Sequence, residues 1–186
     1  MNTFNIEKYQ IVKNEDINVS NIPMLVRRKF SNLDKLVLTV LSKLYDNNID
    51  EIIFTSKKGE FSRLKEIISQ YQSDNMVSPT KFSASVHNFS VSAFSQLNKI
   101  TTPYSAISAG EESLASGIIS AITQPNKRIC VCYADDFGIG VIISTKSNGY
   151  CFKKEKNSYD NIADFIEFLN NNKSQWNTGY GRIERV

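Results

Sequence analysis

The stretch from Tyr104 to Ile122 restricts what this chain can fold into more than any other. It reads as a short strand, a sharp turn and a helix. Ser108 and Glu111 have capping-box spacing, in which the serine oxygen accepts the backbone N–H three residues on and the glutamate reaches back, so the helix is expected to begin at Ala109. Leu114, Ile118 and Ile122 recur at intervals of four, with Ala115 and Ile119 beside them, which makes one apolar face. An abrupt strand-to-helix turn exposes the side chain at its tip and sets helix N-terminal amides nearby, and several enzyme classes hold a nucleophile this way. The tip here carries Gly110, so the geometry of an active site is expected without its chemistry.

The flanking segments read as alternating helix and strand. A possible cap at Ser31-Asn-Leu-Asp34 precedes Leu33, Leu36, Val37, Val40, Leu41 and Leu44, which predicts a helix over about residues 32–46. Glu51 to Ser56 is a short apolar run bounded by polar residues and predicts a buried strand. Lys57-Lys-Gly59 turns the chain, and the spacing of Phe61, Leu64, Ile68 and Tyr71 predicts a second helix. Ser78 caps a third with Pro79 in its first turn, and Phe82, Val86, Phe89, Ala93 and Leu97 continue its stripe to about Asn98. The opposite face is rich in serine and suits close packing. Arg128 to Tyr133, Ile139 to Ser144 and Tyr150 to Phe152 read as strands, the last two joined by hairpin chemistry at Asn148-Gly149. Ile162, Phe165, Ile166 and Leu169 predict a short helix, and Trp176 to Val186 a basic, aromatic tail. Residues 1–22 give only weak strand hints at Ile11, Val12, Ile17 and Val19. The order predicts an α/β layer with a parallel sheet.

Composition bounds function by exclusion. With 186 residues the chain is expected to form one domain that buries roughly two thirds of its unfolded surface. A net charge of +3 from 22 basic and 19 acidic residues is too small and too evenly spread to argue for nucleic acid. The N-terminus lacks the basic and apolar regions of a signal peptide, and no apolar run approaches the ~20 residues of a membrane span. A cytoplasmic protein is expected. Cys130 and Cys132 lie two apart on a strand and share a face, too close for a relaxed bridge. They and Cys151 read as buried thiols, and a single histidine leaves a poor ligand count for zinc. No metal or cofactor is expected.

Motifs for catalysis are sparse. There is no Gly-x-Ser-x-Gly, Walker loop or Gly-x-Gly-x-x-Gly, and Gly138-Ile-Gly140 alone is too short to carry meaning. Ser62-Arg-Leu-Lys65 matches Ser-x-x-Lys on what reads as a solvated helix face. A small serine hydrolase or acyltransferase would need His87 as base for Ser108 or Ser113, oriented by Asp135 or Asp136. Ser108, however, reads as a cap, and Ser113 falls inside the helix. A histidine bonded to a backbone carbonyl, or one lining an interface, asks for fewer conditions. Glu111 and Glu112 are favoured at a helix start by its dipole.

Four blocks, Ile22 to Ser31, Phe54 to Glu60, Ser78-Pro-Thr-Lys-Phe-Ser-Ala-Ser-Val-His-Asn88 and Ala106-Ile-Ser-Ala-Gly-Glu111, occur in the order and spacing of the short β-ketoacyl-synthase-like proteins. These resemble the N-terminal half of ketosynthases and the chain-length factors of aryl-polyene and related pigment clusters. The resemblance covers residues 22–133 and the Trp176 tail, while the first 20 residues and 134–157 depart from it. It implies a thiolase-like half-domain with a mostly parallel central sheet and helices on both faces. In an active ketosynthase a cysteine stands at the turn, and two further catalytic residues come from a second half. Gly110 takes the cysteine position, and His87 matches neither downstream catalytic residue. The resemblance thus implies a silent subunit that pairs with an active ketosynthase working on acyl-carrier-protein substrates. It puts the partner surface and the tunnel end on Ser78, Pro79, Phe82, His87, Asn88, Phe89, Tyr104, Ser108, Gly110, Glu111 and Glu112.

Overall fold

A computed structural model describes residues 2–155 and 159–186. The expectation that 134–157 departs from the family thus falls outside the described residues at positions 156 and 157. Eight strands form one sheet: β1 (Asn2–Val12), β2 (Glu51–Thr55), β3 (Tyr104–Ile107), β4 (Arg128–Ala134), β5 (Gly138–Ser144), β6 (Tyr150–Lys153), β7 (Gln175–Thr178) and β8 (Gly181–Arg185). Their order is β3-β2-β4-β5-β1-β6-β8-β7.

The sheet corrects the expectation of a mostly parallel arrangement. β2 pairs in parallel with β3 and β4, and every other neighbouring pair is antiparallel. Connection length explains part of this. Only Asp135, Asp136 and Phe137 separate β4 from β5, and a link that short can join only antiparallel strands. β5 and β6 do not form the expected hairpin, because β1 lies between them and pairs with both. β1 was nearly illegible for a related reason. Its register shifts between Ile6 and Lys8, and the extra residue reverses which side chains face the core, so no alternation runs through the strand. Phe4, Ile6 and Ile11 consequently join one core and Val12 the other.

After the single turn α1 (Met24–Arg27), helices cover both faces. On one, α6 (Ser113–Ile122) and α7 (Ile162–Leu169) bring Leu114, Ile118, Phe165 and Phe168 onto Ile53, Ile129, Val131 and Val141. Trp176 closes this core, so the expected tail is the β7–β8 hairpin. On the other face, α2 (Asn32–Leu44) and α5 (Phe89–Asn98) bring Leu36, Val40, Leu41 and Phe94 onto Ile52, Phe54, Cys130 and Ile142. Ser31 caps α2 by accepting from the Asp34 amide at 3.0 Å. Gly138 and Gly140 let α2 lie close to β5: a Cβ at Gly140 would stand 2.2 Å from Leu44 Cδ1. Cys130 and Cys132 share this core as free thiols, and burial pushes the Cys130 thiol up to about 12.

Three local expectations change. The stripe that predicted the second helix, α3 (Phe61–Asp74), faces outward: Phe61, Leu64, Ile68 and Tyr71 are 50, 43, 49 and 55% exposed, while Arg63 and Ile67 point inward. The helix expected from Pro79 to Asn98 is two, α4 (Pro79–Ser83) and α5, with residues 84–88 between. The helix after the elbow does not begin at Ala109. A 3-10 turn, Gly110–Glu112, leads into α6 at Ser113.

Candidate functional site

The site is assembled where β2, β3 and β4 reach their carboxyl ends, the edge at which open α/β sheets hold ligands. β2 ends in a turn whose backbone is fixed by Asp135, from the β4–β5 link. Its carboxylate accepts from Ser56 Oγ at 2.8 Å and from the amides of Lys57 and Lys58 at 2.7 and 3.1 Å. The Gly59 amide donates back to Ser56 Oγ at 2.7 Å. Burial, reinforced by Asp135, raises the phenol of neighbouring Tyr133 above its ordinary value.

The elbow stands against that turn. Ser108 does not cap the helix, contrary to expectation: its hydroxyl donates to Lys57 O at 3.4 Å. Ser113 takes over the local bonding, accepting from the Ala109 amide at 3.0 Å and donating to Gly110 O at 2.7 Å. A serine at the first helical position can reach the turn from inside, whereas Ser108 lies on its outer side. Glu111 pairs with Lys57, whose ammonium is raised by that bond. Glu112 accepts the Gly179 amide at 3.2 Å, which brings the β7–β8 turn over the start of α6. Gly110 is exposed with φ +59°, and a Cβ there would meet no atom within 4 Å. The tip of the elbow is thus sterically open as well as bare.

His87 joins this group from the break between α4 and α5, its Nε2 at 3.2 Å from Ile107 O and its ring 5.2 Å from that of Phe54. It bonds to none of Ser108, Ser113, Asp135 and Asp136, all of which have other partners or face elsewhere, so the hydrolase constellation is not assembled. Asn88 is exposed beside it, and Phe89 lies under the Arg63 guanidinium at 5.3 Å. The remaining expected residues form a separate outer group. Ser78 caps α4 over Pro79, Phe82 is 64% exposed, and Tyr104 lies on the sheet edge.

Two clefts flank these groups. One, of about 700 Å³, opens beside the elbow between Lys57, Glu111, Tyr133, Phe137 and Ile162. The other, of about 660 Å³, lies between α3, α4 and α5, over Arg63, Phe89 and Leu97. Beneath it Arg63 donates to Asp34 at 2.8 Å and to Glu60 at 2.9 Å, with Ser90 and Ser31 completing the two carboxylates at 2.6 and 2.7 Å. Burial, with the Asp34 charge, raises the Glu60 carboxyl. The outward stripe of α3 and the Asp135 clamp were not singled out from the sequence. An outward stripe has the same spacing as an inward one, and a carboxylate accepting amides has no motif. Among the described residues no three His, Cys, Asp or Glu side chains converge as a metal site requires, and no helix is long and apolar enough to cross a membrane.

The layered sheet with this strand-elbow-helix at its carboxyl edge has the thiolase-like ketosynthase class of fold. Within that class the family "Beta-ketoacyl synthase, N-terminal domain" matches residues 4–137, and the chain belongs to it. The match takes in residues 4–20, which the sequence blocks had left outside. Among solved structures, the chain is similar to a chain of a ketosynthase (ApeO) in complex with its chain length factor (ApeC) from Xenorhabdus doucetiae. That likeness has TM-score 0.82 and 19% identity, over 98% of this chain and 99% of that one. It is also similar to the ishigamide ketosynthase/chain length factor, with TM-score 0.55 and 10% identity, over 68% of this chain and 49% of that one. No curated protein matches the sequence.

Proposed function

We propose that this chain is a catalytically silent subunit, like a chain-length factor, that pairs with an active β-ketoacyl synthase and shapes its acyl tunnel. The observation that carries this reading is Gly110: the elbow is fully built around a tip that has no side chain and no atom within reach of one. Condensation then belongs to the partner, acting on acyl-carrier-protein substrates, in polyene or fatty-acid-like biosynthesis.

Three features support pairing. β3 is an edge strand bonded on one side only. Phe82 and Val86 stand exposed on the segment leading to it, and the α3 stripe places four more large apolar side chains outward. Clustered apolar side chains in water mark interfaces. In this reading the Ser78–Leu97 segment and β3 meet the partner, the α3 stripe lines the partner surface and tunnel, and Gly110, Glu111 and Glu112 wall its inner end.

The test is co-expression with a full-length β-ketoacyl synthase from the same genome. A stable complex that incorporates acyl-thioester probe on the partner's cysteine alone is expected. A clean monomer, or covalent label on a serine of this chain, overturns the reading.

A further inference from the structure

We infer that His87 is a positioning residue that holds the elbow from the side of the Ser78–Leu97 segment and so fixes where Gly110 stands. The break at residues 84–88, Ala-Ser-Val-His-Asn, contains neither proline nor glycine, so nothing local requires it. Short backbone bonds stitch it, from Ser85 to Phe82 at 3.0 Å and from Phe89 to Val86 at 3.1 Å. What the break achieves is to turn His87 inward. Its Nε2 reaches Ile107 O, the last carbonyl of β3, which also accepts the Ser56 amide at 3.3 Å. A carbonyl can only accept, so Nε2 carries the proton. Nδ1 fills the space above Gly59, where a Cβ would stand 2.5 Å away, and Gly59 has φ +53°. One imidazole therefore clamps the turn after β2, the end of β3 and the break before α5. The elbow's neighbouring tie, Ser108 to Lys57 O, is longer, at 3.4 Å.

The consequence for product length rests on the pairing with a ketosynthase proposed above: a shifted elbow changes the depth of the tunnel end. Three variants separate the contributions. His87→Phe keeps a ring and loses the donor, His87→Gln keeps a donor, and Gly59→Ala crowds the imidazole while also straining the turn at φ +53°. In the full chain, amide hydrogen exchange over residues 104–112 should accelerate about tenfold in His87→Phe and Gly59→Ala, and return to within about threefold of the native rate in His87→Gln, with β5 unchanged in all. In the reconstituted complex, at equal assembly, the same two variants should shift the distribution of product chain lengths and His87→Gln should restore it. Native exchange in His87→Phe, or a His87→Gln as perturbed as His87→Phe, overturns the positioning role, as does an unshifted product distribution. If His87→Phe fails to fold, His87→Ala against His87→Gln decides between the same outcomes. If the native chain forms no complex, the pairing is refuted and the exchange rates alone decide the role of His87.

Discussion

Gly110 lies at φ +59°, a region in which side chains cost about 1–2 kcal/mol, and its side-chain space is empty. Gly110→Ala should therefore fold and lose about 1–2 kcal/mol in denaturant melts, a cost of backbone and not of packing. Glu60 presents the opposite case, a carboxylate buried with another carboxylate and one guanidinium between them. Its folded pKa is raised by burial and by Asp34, so the protonated form favours the folded state. That contribution is complete below the unfolded value of about 4.5 and is lost as pH rises through the raised folded value. Denaturation melts of the native chain should show this decline above pH ~4.5, and those of Glu60→Gln should lack it.

At the scale of elements, α3 carries the sharpest difference between pattern and placement. Its stripe at 61, 64, 68 and 71 has the spacing of a core-facing helix, yet Arg63 and Ile67 are what the fold buries. The buried Arg63 network accounts for the orientation. Asp34 and Ser90 reach Arg63 and Asp34 from α2 and α5, so rotating α3 to bury the stripe would strand two carboxylates in the interior. An outward stripe of this kind separates folding from assembly. Ile68→Asp should change the stability of the chain by within about 0.5 kcal/mol, as surface substitutions do, while abolishing co-purification with the ketosynthase. A large loss of stability would show instead that the stripe packs within the chain.

For the whole molecule, the two edges of the sheet differ. Along β7 the outer edge is engaged by Asp160, whose amide donates to Asn177 O and whose carboxylate accepts the Asn177 amide, both at 2.9 Å. Along β3 no strand follows among the described residues, which leaves an edge open to pairing. Adding the ketosynthase should slow amide exchange over residues 104–107 at least about tenfold and leave 175–178 unchanged. Much of this architecture was legible in the sequence. The cap at Ser31, the apolar runs of β2 and β4, the periodicities of α2 and α6 and the strand-elbow-helix itself are local patterns, set by hydrogen-bonding geometry within a few residues. The bulged β1, the antiparallel majority of the sheet and the hairpin at Trp176 were not, because strand partners are chosen between segments far apart in the chain. The site divides the same way. Sequence alone determined that the tip of the elbow is a glycine and that one histidine precedes it, since these are identities at positions. Only the tertiary structure decided that Ser108 turns away from the helix, that Asp135 clamps the facing turn and that His87, in the break between two helices, reaches Ile107, because each contact joins segments that only the packed sheet brings within hydrogen-bond reach.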